Sequence, residues 1–104
     1  MIIDRNAGPK AAEIFGYFPI ITITGPRQSG KTTMAKKLFP KKAYVSLESL
    51  DNREYATKDP RGFISEYQSG AIFDEVQNVP SLFSYLQDEV DNNHASERFV
   101  LTAG

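Results

Sequence analysis

No cysteine occurs among the 104 residues, so the chain has neither a disulfide framework nor a thiolate metal site. No apolar stretch approaches the roughly 20 residues that a spanning helix needs, which excludes a helical membrane segment. The single histidine, His94, sits in a polar run with no acid or cysteine at metal-ligand spacing, and it reads as surface decoration. Charge of either sign is scarce in excess: 12 Lys and Arg against 13 Asp and Glu give a net charge of −1, which argues against strong nonspecific binding of nucleic acid. The opening Met1-Ile2-Ile3-Asp4 lacks the basic and apolar regions of a signal peptide, so a cytoplasmic location is expected. Internal repeats and low-complexity tracts are absent as well. What is left, 40% hydrophobic and without compositional bias, describes one globular domain with room for one core.

Against that plain background one stretch stands out. Gly25-Pro26-Arg27-Gln28-Ser29-Gly30-Lys31-Thr32 matches the phosphate-loop pattern G-x-x-x-x-G-K-[ST]. Its residue types follow from its chemistry. Glycines let the backbone curl until successive N–H groups point inward, forming a concave anion site at a helix N-terminus. Lys31 is expected to reach the β- and γ-phosphates of a nucleoside triphosphate, and the Thr32 hydroxyl to join the octahedral shell of a Mg²⁺ ion. Thr33 extends the helix. The context is right: residues 19–24, a β-branched run with Pro19 at its start, precede the loop as a buried strand. Met34, Ala35, Leu38 and Phe39 follow on one helical face that Pro40 ends. A Gly/Ser-rich surface turn with an incidental lysine would lack that strand and helix.

Ala71-Ile72-Phe73-Asp74-Glu75, an apolar run ending in two acids, has the form of the strand that faces such a loop. Alone, a strand ending in acids is usually just solvated there. Beside the loop, Asp74 is expected to hold the metal through its water shell, and Glu75 to orient or deprotonate the water that attacks the γ-phosphate. Hydrolysis is then favoured over transfer to a bulky acceptor.

The remaining chain alternates strand and helix signals, the pattern of an α/β sheet covered on both faces. Residues 43–47 read as a strand. Asp51 and Glu54 have capping-box spacing for a helix over 52–58. Asp59-Pro60 opens another helix through Phe63, Ile64 and Tyr67 that stops near Gly70. Pro80 opens a third, whose Leu82, Phe83, Leu86 and Val90 form an apolar stripe ended by the polar residues 91–94. Residues 98–102 are the last strand. Thr102 ends a strand expected between the loop strand and that of Asp74, so its hydroxyl could sense the γ-phosphate or the attacking water. Arg27 and Gln77 each suit either a ligand contact or a solvated position. The Lys36-Lys37 and Lys41-Lys42 pairs read as a solvated helix end beside a turn.

Gly-Pro-Arg-Gln-Ser-Gly-Lys-Thr-Thr, Asp-Pro-Arg-Gly-Phe, Ile-Phe-Asp-Glu-Val-Gln and Phe-Val-Leu-Thr together resemble the AAA-type ATPases of bacteria and archaea. There a P-loop core is followed by a helical lid and a C-terminal domain described as nuclease-like or of unknown function. The resemblance covers nearly the whole chain but only the opening of such proteins. It implies a three-layer α/β P-loop core with ATP and Mg²⁺ as ligands. Gly25, Pro26, Arg27, Gln28, Ser29, Gly30, Lys31, Thr32 and Thr33 carry over as the Walker A loop, Asp74 and Glu75 as the Walker B pair, and Thr102 as the first sensor. Lys31, Glu75 and Thr102 then take catalytic roles, and Thr32 and Asp74 the metal. Adenine is implied by the resemblance, and no guanine-reading Asn-Lys-x-Asp is present.

Numbered in chain order from the loop strand, the implied parallel sheet runs 1-4-3-2. Residues 1–18 form a flanking segment, a weaker match in which the family suggests a short strand and helix beside the adenine. The family continues where Leu101-Thr102-Ala103-Gly104 stops, so residues 1–104 are expected to be one incomplete domain without a fifth strand, arginine finger or second sensor. That would leave residues 20–23 at a sheet edge, inviting homo-oligomerisation. Two alternatives stay open: a small phosphotransferase, and a noncatalytic module in which nucleotide orders residues 49–68 for a partner.

Overall fold

The computed structural model describes residues 2–4, 16–26, 30–93 and 98–104. Five strands, β1 (Ile2–Asp4), β2 (Ile20–Thr24), β3 (Ala43–Ser46), β4 (Ala71–Asp74) and β5 (Phe99–Ala103), form one all-parallel sheet in the order β1-β2-β5-β4-β3. Counted from the loop strand, the last four stand in the expected order 1-4-3-2. Parallel strands need crossovers, and the helices α1 (Lys31–Leu38), α2 (Leu50–Lys58), α3 (Pro60–Ser65) and α4 (Leu82–Asn92) lie in them.

The strands read as near-continuous apolar runs because both faces are covered. Their alternation sorts the buried side chains into two layers. Ile21, Ile23, Ile72 and Val100 pack with Ala35 of α1 and with the half-buried Met34, Leu38 and Phe39. On the other face Ile20, Phe73, Phe99 and Leu101 pack with Phe63, Ile64, Leu82, Leu86 and Val90. Phe73 is the hub there, its ring 5.5 Å from Phe63, 5.5 Å from Tyr67 and 5.7 Å from Phe99.

Several expectations need correction. The edge of β2 is not open, since β1 pairs along it with Ile2 opposite Thr22 and Asp4 opposite Thr24. Ile21 and Ile23 are fully buried, so the basis for oligomerisation through residues 20–23 is gone. The strand expected near the N-terminus is therefore present, while the helix lies outside the described residues. Asp51 does not cap: α2 starts at Leu50 behind Ser49, and Asp51 falls in its first turn, where a carboxylate suits the dipole without a side-chain bond. Asp59 does cap α3, accepting from the Gly62 N–H at 3.1 Å with Pro60 in the first turn. That helix ends at Ser65, because bonds from Glu66 and Tyr67 reach back only three residues and tighten the chain toward Gly70. Gly70 takes a φ of +98°, and a Cβ there would lie 1.9 Å from the Arg98 carbonyl oxygen. Phe83 leaves the α4 stripe: it is 47% exposed, while Leu82, Leu86 and Val90 are buried.

Candidate functional site

At the carboxyl end of β2 the chain enters the glycine-rich loop, tied down by the Gly25 N–H donating to the Ala103 carbonyl at 3.3 Å. Pro26 follows at the surface, and the expected contacts of Arg27, Gln28 and Ser29 lie outside the described residues, as does His94. Gly30 closes the loop with a φ of +88° and nothing within 4 Å of a built Cβ, so open space lies where a side chain would project. It stands at the N-cap of α1, which has no side-chain cap and no acid in its first turn. The first N–H groups of a helix that begins this way suit an anion.

Lys31, only 2% exposed, extends to Glu75, its Nζ 3.0 Å from Oε1, and donates more weakly to the Pro26 carbonyl at 3.5 Å. Thr32 Oγ1 donates to Asp74 Oδ1 at 2.8 Å. Thr33 faces solvent, as a residue that only extends the helix should.

Asp74 and Glu75, each 6% exposed, leave β4 in different ways. Asp74 keeps strand geometry and points to the face of α1. Continued alternation would send Glu75 to the opposite face, beside Phe73. Instead its backbone turns left-handed, with φ 59° and ψ 50°, and its carboxylate meets Lys31. A non-glycine residue held there costs on the order of 1 kcal/mol, and such outliers concentrate at functional sites. Two bonds hold the turn: the Glu75 N–H donates to Thr102 Oγ1 at 2.9 Å, and the Asn78 N–H to the Glu75 carbonyl at 3.1 Å. Gln77 Nε2 donates to Glu75 Oε2.

Thr102, fully buried on β5, accepts from the Glu75 amide and donates its hydroxyl proton to Asp74 Oδ1. Tyr44 on β3 donates to Asp74 Oδ2 at 2.6 Å. Burial pushes the Asp74 carboxyl up, but the bonds from Thr102, Tyr44 and Thr32 and the Lys31 charge outweigh it and hold the group below its ordinary value. The Tyr44 phenol is pushed up, by burial first and then by its bond to Asp74.

Lys31, Thr32, Asp74, Glu75 and Thr102 therefore meet at one end of the sheet, where the carboxyl ends of β2, β4 and β5 converge. The chain belongs to the AAA domain family. The family model matches residues 17–104, and with it comes a nucleotide-binding, ATPase-type function in general. Relatives include uncharacterized proteins of Mycobacterium bovis and Mycobacterium tuberculosis, each 33% identical over 104 residues. The alignment takes in 97% of this chain and 23% of either relative, so the AAA domain here spans about a quarter of their length. No solved structure matches.

The donor set of this AAA domain fits a hard cation. Thr32 Oγ1 and Asp74 Oδ1 are adjacent oxygens, and Mg²⁺ is usually held by one or two protein groups together with phosphate oxygens and water. Among the described residues no group of three acids or histidines could form an all-protein metal cage. Tyr44 was not among the expected site residues. Its signal was parity: opposite Ile72, two residues before the Ser46–Asp74 pair, it shares the face of Asp74. A pocket of about 480 Å³ lined in part by Lys41, Lys42, Ser65 and Gly70 opens at the amino ends of β3 and β4, away from this site. Among the described residues no helix is long and apolar enough to cross a membrane.

Proposed function

We propose that this AAA domain binds Mg-ATP and hydrolyses it slowly. The observation that carries the reading is the buried meeting of Lys31, Thr32, Asp74, Glu75 and Thr102, drawn from three separate segments. Residues 25–33 would form the phosphate cradle, its donors being the N–H groups that follow Pro26, which has none, those of Arg27, Gln28 and Ser29 among them, and Lys31 would exchange Glu75 for the β- and γ-phosphate oxygens. Thr32 and Asp74 would hold Mg²⁺, which would supply charge neutralisation for the phosphates. Glu75, released from Lys31, accepts a proton from the attacking water or orients it, and Thr102 keeps Asp74 and the Glu75 turn in register. Turnover is slow because a positive group facing the transferred phosphoryl is worth roughly 10³ to 10⁵ in rate, and the three described arginines are engaged elsewhere. Arg53 is bound to the Leu47 and Glu48 carbonyls, Arg61 to Asp88, and Arg98 to Glu89 and the Gln68 carbonyl. The resemblance to AAA-type ATPases implies that such a donor would come from a lid or neighbouring subunit. We further infer that residues 1–104 act as one domain, with 1–18 as its flank, in the cytoplasm where Mg-ATP is supplied.

Calorimetric titration of Mg-ATP into the wild type and Lys31→Ala tests the proposal. Micromolar binding that the variant loses is the expected result. A folded wild type that does not bind would refute it. Release of phosphate by the wild type that is unchanged in Glu75→Gln would refute the assignment of the water-activating acid.

A further inference from the structure

The Asp74 carboxylate is held from three directions. Oδ1 accepts from Thr32 and Thr102, and Oδ2 accepts from the Tyr44 hydroxyl at 2.6 Å. A carboxylate turns easily about its last torsion, which has broad, roughly two-fold preferences, so its direction is set by the donors around it. Under the function proposed above, on which this inference rests, the Thr32 hydroxyl turns from Asp74 to the cation when Mg-nucleotide arrives. Two described donors then remain, one on each oxygen.

We propose that Tyr44 is a positioning residue for the metal site, its hydroxyl fixing Asp74 Oδ2 so that Oδ1 stays turned toward Thr32 and the cation. The placement of the ring supports this. Tyr44 lies on β3 opposite Ile72 of β4, two residues before the Ser46–Asp74 pair and on the same face, so its hydroxyl reaches along the strand to the carboxylate. Lys36 Nζ sits 3.9 Å from the ring centroid. Thr32 and Lys36 are one turn apart on α1, so the helix that begins at the phosphate loop touches Asp74 directly through Thr32 and, through Lys36, steadies the ring that holds the other oxygen. Tyr44 is 38% exposed and belongs to neither buried core layer, so its bond to Asp74 is what ties this side chain to the interior.

Tyr44→Phe removes the hydroxyl alone and keeps the ring under Lys36. The test is calorimetric titration of ATP into wild type and variant, first in EDTA and then across a Mg²⁺ series. Loss of a partner to a metal-holding carboxylate typically costs 10–100-fold in metal affinity, and a contact made through water belongs at the low end. The expected result is an unchanged affinity in EDTA with the Mg²⁺ concentration for half-maximal strengthening raised about tenfold. An unchanged Mg²⁺ dependence overturns the proposal, because the hydroxyl then does nothing for the metal. Equal weakening with and without Mg²⁺ also overturns it, since that marks general damage to the nucleotide site. A wild type that binds no ATP in either condition overturns the proposed function, and this inference with it; a wild type that binds with a Mg²⁺ dependence shared by the variant overturns the inference alone.

Discussion

Replacing Thr102 with valine keeps the shape of a fully buried side chain and removes one hydroxyl that makes two hydrogen bonds. The Glu75 N–H loses its acceptor in a site where Glu75 is only 6% exposed, and an unsatisfied buried donor costs about 1–3 kcal/mol. The Asp74 carboxylate loses a charge-assisted bond, for which about 1.5–3 kcal/mol is typical. The added methyl returns about 0.8 kcal/mol. The net expectation is a loss of roughly 3 kcal/mol, a large fraction of the 5–15 kcal/mol that holds an ordinary domain together. Urea denaturation followed by circular dichroism would show a lower midpoint with an unchanged slope, and thermal melting a drop on the order of 10–20 °C. Thr102→Ser is the control. It keeps both bonds and gives up one methyl, so it should cost about 1 kcal/mol. If valine is tolerated as well as serine, Thr102 does not tie Asp74 to the Glu75 turn, and the account of how the site is held fails.

Glu75→Gln removes the carboxylate that holds Lys31 at 3.0 Å, so Mg-ATP affinity by calorimetry should be kept or strengthened while phosphate release falls to background; weaker binding would mean that the ion pair builds the site rather than competing with phosphate. Gly70→Ala meets both a φ of +98° and a backbone oxygen 1.9 Å from the new Cβ, so denaturation should show a loss of at least about 2 kcal/mol, whereas the exposed Ser69→Ala should be near neutral. Asp74 is held below the ordinary carboxyl value of 3.8, so its bonds stabilise the fold above that pH and the contribution fades as pH falls through the lowered value. Midpoints measured downward from pH 6 should therefore fall more steeply for the wild type than for Asp74→Asn, and parallel curves would count against the depressed value.

The phosphate loop was legible in the sequence because its requirements are local. Glycine at a positive φ, a lysine at the head of a helix and a β-branched strand in front all lie within about a dozen residues, and the pattern is read from residue types. The same holds for the Asp59-Pro60 cap and for the buried runs of β2, β4 and β5, whose two covered faces make them apolar throughout. The capping-box spacing at Asp51 and Glu54 misled because spacing alone does not say which residue stands outside the helix, and Leu50 had already entered it. Phe83 misled because its spacing from Leu86 and Val90 fits one helical face, and the tertiary packing decides how far that face is covered.

Other features depend on contacts between segments far apart. β1 is three residues long, too short for a periodic signal, and only its pairing with β2 shows that the edge of β2 is covered. Tyr44 is an ordinary strand residue until the β3–β4 register sets its hydroxyl against Asp74, 30 residues away. The ion pair of Lys31 and Glu75 needs the left-handed turn at Glu75, and that turn is held by Thr102 from a third strand. By itself, then, the sequence determined the chemistry offered at each position, since residue type and near-neighbour spacing are local. The tertiary structure decided which oxygens, donors and charges face one another, because that depends on register and backbone turns that no single segment encodes.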